Sequence, residues 1–272
     1  MAGTHPSDVD PVRGEELVLG YGEKDPVIEG ESVRIPAGSV TAIVGPNGSG
    51  KSTLLKALAG QLEPRDGTVL IEGDRLESRS SKDLARKLGL LSQENTSPGQ
   101  LAVENLVYYG RYPHRGFFEG VSEEDVQKVE RAIELTGLDE LRDRPLESLS
   151  GGQKQLAWIA MVLAQDTDVL LLDEPTTFLD LHHQLKVMDV VERLNEMRDV
   201  TIVIVLHDIN QAARYADHMI ALADGEIHAS GPPGSLLTED LLATVFEIDA
   251  TITTDPLTGG PLVHAKSPRD DQ

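Results

Sequence analysis

The run Gly45-Pro46-Asn47-Gly48-Ser49-Gly50-Lys51-Ser52-Thr53 fits the pattern G-x-x-x-x-G-K-[ST], a spacing suited to holding phosphate. Glycines let the backbone curl until its N–H groups point inward at phosphate oxygens. The segment before the run reads as a strand and the segment after it as a helix, whose N-terminus adds positive potential. Lys51 would reach the β- and γ-phosphates of a nucleotide, and the Ser52 hydroxyl would ligate Mg²⁺. A second apolar run, residues 169–172, ends in Asp173-Glu174. It reads as a buried strand that delivers Asp173 to the Mg²⁺ and Glu174 to a water attacking the γ-phosphate.

A third run, Leu149-Ser150-Gly151-Gly152-Gln153, opens the most apolar helix of the chain. Ser150 can cap that helix and Gln153 can close the capping box. The same turn is a second glycine-lined helix N-terminus able to hold an anion. One nucleotide does not need two such termini from one chain, and the excess suggests two chains facing each other.

Positioning these groups requires an α/β sheet. Val40–Val44 reads as a strand, followed by a helix from Lys51 to about Ala59 that Gly60 stops. Leu88–Leu91 ends at Ser92-Gln93, and a run over 201–206 ends at His207-Asp208. Residues 219–223 and 226–229 flank Asp224-Gly225, a hairpin signal. Gly45, Gln93, Asp173 and His207 each close an apolar run, and ligands in open α/β sheets sit outside the carboxyl ends of the strands. The stretch from about 94 to 148 is helical, with a capping box at Ser122 to Asp125 and a stop at Gly137. It reads as a helical insertion between two halves of one sheet. The polar ends, 1–12 and 265–272, read as flexible tails around a body of 13–264.

Composition narrows the function classes. The 272 residues are 39% hydrophobic, enough for an aliphatic core, and contain no cysteine. A disulfide scaffold, a thiolate metal site and cysteine catalysis are thereby excluded. Lys and Arg number 24 against 46 Asp and Glu, a net charge of −22, which opposes nucleic acid or an anionic membrane as partner. The acidic excess is spread along the chain and only nine of the cations are Lys, a balance suggesting adaptation to high salt. The longest apolar run, 156–164, is far short of the roughly 20 residues a spanning helix needs. The N-terminus has no leader pattern, so a soluble, intracellular protein is expected unless a partner holds it at a membrane.

Together, the phosphate loop, the Asp173-Glu174 strand end and Leu149 to Gln153 resemble the ATP-binding cassette (ABC) family over nearly all of the chain. The resemblance implies a P-loop NTPase fold with a predominantly parallel core sheet, an antiparallel β part and a helical subdomain at about 94–154. It implies Tyr21 stacked on adenine and Gln93 as a loop glutamine that serves both the metal and catalysis. It further implies Asp180 as a cross-dimer aspartate, although Thr177-Phe178 stands where Ser-Ala is commoner, and His207 as a switch histidine on the γ-phosphate. ATP and Mg²⁺ would be bound between two copies paired head to tail, an isologous interface, with Glu174 the general base.

The chain has Asp143-Arg144-Pro145-Leu146-Glu147-Ser148 where exporters usually carry a Gly-Glu-Arg-Gly type segment, and it resembles separate importer subunits. Residues 109–114, 157–161, 174–180 and 207–212 are similar to the branch serving iron(III)-siderophore, haem and cobalamin uptake, the siderophore members most of all. That resemblance implies a permease partner, an indirect link to a substrate-binding protein, and a place on the cytoplasmic face of the membrane. A soluble ABC ATPase outside transport is the rival of another class. Ser97, Tyr108, Tyr109, Arg111, Tyr112 and Phe117-Phe118 are candidates for a groove that receives the permease, while Tyr108 and Phe117 could equally pack inside the subdomain. His182-His183 reads as helix surface, Trp158 as core, and Met161 and Met188 as packing residues.

Overall fold

In the computed structural model, which describes residues 10–93, 95, 100–116 and 120–268, the chain divides into two units. One unites the chain ends, Met1–Ser78 with Thr201–Gln272, and the other is Arg79–Val200. In the first unit Val40–Val44 (β3) is buried at every position, as a strand covered on both faces must be. Its parallel neighbours are Thr201–Val205 (β8) on one side and His218–Ala223 (β9) on the other. Glu226–Gly231 (β10) returns antiparallel along β9 through the Asp224-Gly225 turn. Lys51–Leu58 (α1) follows β3, burying Leu54, Leu55 and Leu58. Ile209–Tyr215 (α7) connects β8 to β9.

A second sheet in this unit is antiparallel, in the order Ile28–Ile35 (β2), Val12–Leu19 (β1), Asp66–Ile71 (β4), Asp74–Arg75 (β5). It is the expected antiparallel part. Val12, Leu17, Leu19, Ile28, Val33 and Ile35 supply its buried face. The alternation in β1 breaks at Glu15-Glu16, where Glu16 has φ 49 and the pairing register shifts. Such a bulge hides the period-two signal from a reading of the sequence. Two helices, Pro233–Leu236 (α8) and Glu239–Val245 (α9), lead into a terminal hairpin, Ile248–Thr254 (β11) with Pro261–Pro268 (β12).

The expected tails are therefore shorter than the sequence suggests. β12 runs to Pro268, so residues 265–268 are paired strand, because Ala265 and Ser267 lie opposite Ala250 and Asp249. At the other end Val12 is fully buried and Pro11 accepts a hydrogen bond from Glu72 N. Residues 1–9 and 269–272 lie outside the described residues.

In the second unit Leu88–Leu91 (β6) pairs parallel with Val169–Asp173 (β7), after Ser81–Lys87 (α2). Val103–Tyr109 (α3), Glu123–Thr136 (α4) and Gly151–Ala164 (α5) pack on one another, and Leu181–Arg198 (α6) packs against α4 and α5. Ser122 and Asp125 form the capping box of α4, and Gly137 ends that helix at φ 65. The helical part cannot stop at 154, because α5 continues unbroken to Ala164. One buried ion pair ties this unit together. Arg111 Nε donates to Asp125 Oδ1 at 2.7 Å, and its Nη1 donates to Ala164 O at 2.9 Å.

Candidate functional site

In the first unit the loop Gly45–Gly50 joins β3 to α1. Gly45 has φ 152, and a Cβ there would run into the Leu222 carbonyl of β9, so this close approach demands glycine. The N-cap of α1 is Gly50, with no side-chain cap, and no acidic residue stands in the first turn. The positive end of that helix is thus left uncompensated by its own side chains. Lys51 is 5% exposed and donates through Nζ to Gly45 O at 3.0 Å and Pro46 O at 2.7 Å. Ser49 Oγ is buried with no hydrogen-bond partner among the described residues. An orphan hydroxyl, an uncapped helix start and a lysine folded onto backbone carbonyls fit a phosphate chain.

Tyr21 stands half exposed beside this loop, its hydroxyl 3.5 Å from Thr53 Oγ1. Asn47 and Gly48 form the exposed tip of the turn, and Ser52 is half-buried in the first turn of α1. Parallel pairing of β3 with β8 sets Ile43 opposite Val205, and Leu206 N donates to Ile43 O. His207 is therefore delivered, exposed, to the same sheet edge as Gly45.

The second unit gathers a different set. Pairing of β6 with β7 sets Leu91 opposite Leu172, so Gln93 and Glu174 emerge together. Gln93 Nε2 donates to Glu174 Oε2 at 2.8 Å, and Thr177 Oγ1 donates to the same oxygen at 3.2 Å. Glu174 has φ 50, a backbone region disfavoured for a residue with a Cβ and characteristic of functional turns. Asp173 is 2% exposed at the end of β7. Among the described residues no group of three His, Cys, Asp or Glu could by itself hold a metal. Each unit by itself offers oxygen donors, the Ser52 hydroxyl in the first and the Asp173 carboxylate and Gln93 amide oxygen in the second. All are hard oxygens of the kind Mg²⁺ accepts alongside phosphate oxygens.

Ser150 caps α5, accepting from Gln153 N at 3.3 Å while Gln153 Oε1 accepts from Ser150 N at 3.1 Å. Gly151 is exposed and Gly152 buried. Asp180 caps α6, and its Oδ1 accepts from His183 N at 2.9 Å and His183 Nδ1 at 2.8 Å. The His183 backbone hydrogen bond first, and the ring bond second, hold the Asp180 carboxyl below the usual carboxylate range.

Several expectations change. Arg111 is 2% exposed and locked to Asp125, so it lines no groove. Tyr109 and Tyr112 are exposed, edge to face at 6.2 Å, and remain available to a partner. Tyr108 is half-buried, and burial, then Glu104 and Glu130, push its hydroxyl up. Ser97, Phe117 and Phe118 lie outside the described residues. Trp158 is half-buried and not core, while of the two methionines read as packing residues Met161 is half-buried and Met188 fully buried. His183 is no plain surface residue, since its ring covers Gly152. Thr177 as a partner of Glu174 was missed in the sequence, although a hydroxyl three residues beyond a carboxylate in a tight turn is a usable signal.

No helix among the described residues is long and apolar enough to cross a membrane. Residues 28–177 match the family model described as ABC transporter. The chain is 47% identical over 252 residues to the ferric enterobactin transport ATP-binding protein FepC of Escherichia coli K12, covering 93% of each. Its structure superposes with a TM-score of 0.80 on a putative metal-chelate type ABC transporter in an inward-facing conformation, at 27% identity and covering 94% and 97% of the two chains. It also resembles the dimeric, post-hydrolysis state of the ATP-binding cassette MJ0796 bound to ADP and Pi. There the TM-score is 0.71, the identity 30%, and the coverage 81% of this chain and 98% of that one.

Proposed function

This chain belongs to the ABC transporter family as an ATP-binding, ATP-hydrolysing subunit, and we propose that it powers uptake of an iron(III)-siderophore through a membrane permease. The observation that carries the ATPase half is the phosphate loop, whose buried Ser49 hydroxyl has no partner among the described residues and stands at a helix start without a side-chain cap. The siderophore half rests on the 47% identity to a ferric enterobactin subunit across nearly the whole of both chains.

In this reading the amides of Gly45 to Thr53 cradle the phosphates and Tyr21 stacks on adenine. Lys51 leaves the Gly45 and Pro46 carbonyls for the β- and γ-phosphate oxygens, where its hydrogen bonds become charge-assisted on both sides. Ser52, Asp173 and Gln93 would hold Mg²⁺, which would supply charge neutralisation on the phosphates. Gln93 and Thr177 fix the Glu174 carboxylate, which orients the attacking water and takes its proton. His207 contacts the γ-phosphate as charge develops on it.

A second copy supplies Ser150, Gly151, Gly152 and Gln153 to the far side of the triphosphate, with Asp180 beside them. The dimer closes on ATP and loosens once phosphate is lost. The resemblance to a dimeric cassette supports this pairing. The permease holds the pair at the cytoplasmic face, and the substrate-binding protein acts from beyond it.

Glu174→Gln tests the reading. The variant should bind ATP and sediment as a closed dimer, while turnover falls by about a thousandfold, the scale expected for loss of a general base together with water positioning. Hydrolysis within about threefold of the parent chain would remove Glu174 from the base role. Failure of iron(III)-siderophore uptake to depend on the gene would remove the cargo.

A further inference from the structure

His183 lies in the first turn of α6, and its side chain is only 20% exposed although the Asp180 side chain it bonds is 67% exposed. Capping α6 needs only the His183 backbone N–H, which any residue would donate to Asp180. The imidazole adds a second bond to the same Oδ1, and because a carboxylate oxygen accepts, Nδ1 carries the proton. That bond turns the other edge of the ring toward α5. A Cβ built on Gly152 would collide with Cγ and Cδ2 of the ring and lie 2.8 Å from Nε2. The His182 ring stands edge-on behind it at 5.4 Å. One ring thus fills the space between the first turns of α5 and α6. It also explains a glycine inside a helix, where alanine would otherwise be preferred.

We propose that His183 is a positioning residue that fixes the Asp180 turn to the Ser150-Gly151-Gly152 turn, so that both reach the other copy's nucleotide with one set spacing. This rests on the reading that these two turns face a triphosphate bound by a second copy. Without the ring the two helix starts would keep their own caps but lose their common reference. Nucleotide capture on the phosphate loop of the other copy would be left as it is, and the closed, hydrolysing arrangement would be reached less often.

The test is a double-mutant cycle on steady-state MgATP turnover by the full chain assembled with its permease. His183→Ala should lower kcat by about tenfold with KM for ATP within about twofold. His183→Asn, which keeps a donor within reach of Asp180, should recover part of that loss. Gly152→Ala, whatever it costs directly at the nucleotide-facing turn, should cost at least about fivefold more beside the ring than in the His183→Ala background, where the added methyl meets no imidazole. Equal losses in both backgrounds, or an unchanged kcat in His183→Ala, would overturn the proposal. Thermal unfolding of each variant separates this from general damage, since a positioning role leaves the midpoint of His183→Asn near that of the parent. If ATP-driven closure of Glu174→Gln fails while His183 is intact, the underlying two-copy reading falls instead.

Discussion

Glu174 sits at φ 50 with two donors on one oxygen, Gln93 Nε2 and Thr177 Oγ1. A carboxylate that must align a water gains from being held in one plane before the water arrives. The hydrogen bond from Thr177 closes the turn that imposes the positive φ, since Thr177 N also reaches back to Glu174 O at 3.2 Å. Thr177→Val keeps the shape and deletes the hydroxyl donor. It should lower kcat by about tenfold, near the smaller value for a hydrogen bond to a charged group, while KM for ATP moves little. Steady-state kinetics would read this directly, and an unchanged kcat with a raised KM would place Thr177 in binding instead. Residue types such as Lys51 and Asp173 were legible from the sequence because their motifs are contiguous. Thr177 and His183 were not, because what matters in each is the partner that a turn folds back onto.

Among the elements, those bounded by local chemistry were readable: α4 between its Ser122 box and Gly137, α5 from Ser150, and β9 with β10 across Asp224-Gly225. β1 was not, because its bulge at Glu16 breaks the alternation, and β12 was hidden by a polar, exposed outer face. Arg111 was misplaced for a related reason. Nothing local announces that an arginine after α3 will meet the capping carboxylate of α4 and the last carbonyl of α5. Burial pushes the Asp125 carboxyl up, but the hydrogen bonds from Arg111 and Ser122 outweigh it and hold the group below the usual range. A depressed folded pKa means this stability is present at neutral pH and lost as pH falls below the ordinary aspartate range. Arg111→Met leaves the buried carboxylate without its cation, holding only the Ser122 hydrogen bonds, and should cost about 3 kcal/mol at pH 7, at the low end for breaking a buried pair. Because the abandoned carboxyl then prefers its neutral form, the deficit should shrink as pH drops toward 4. Urea unfolding of the two proteins across that range would decide it, and a deficit independent of pH would show that lost packing and not charge is responsible.

At the scale of the whole molecule, the charge of −22 sets the terms under which everything above forms. Acidic groups crowd several surfaces at once, among them Glu123 and Glu124 at the start of α4 and Glu239 and Asp240 at the start of α9. Placed there they favour their helices, but summed over the surface they repel, and the scarcity of lysine leaves few cations to offset them. Salt shortens the reach of that repulsion from about 10 Å at 0.1 M to about 3 Å at 1 M, while the buried Arg111–Asp125 pair is screened far less. We therefore expect the thermal midpoint to rise steadily between 0.1 and about 2 M KCl, by several degrees or more for a net charge this large. KCl is the informative salt, because sulfate would also strengthen apolar burial and blur the cause. A variant with several exposed Glu replaced by Gln should start higher and respond less to KCl. If midpoint and turnover instead fall as KCl increases, the acidic surface is no adaptation to salt, and repulsion among these carboxylates is not what limits the fold.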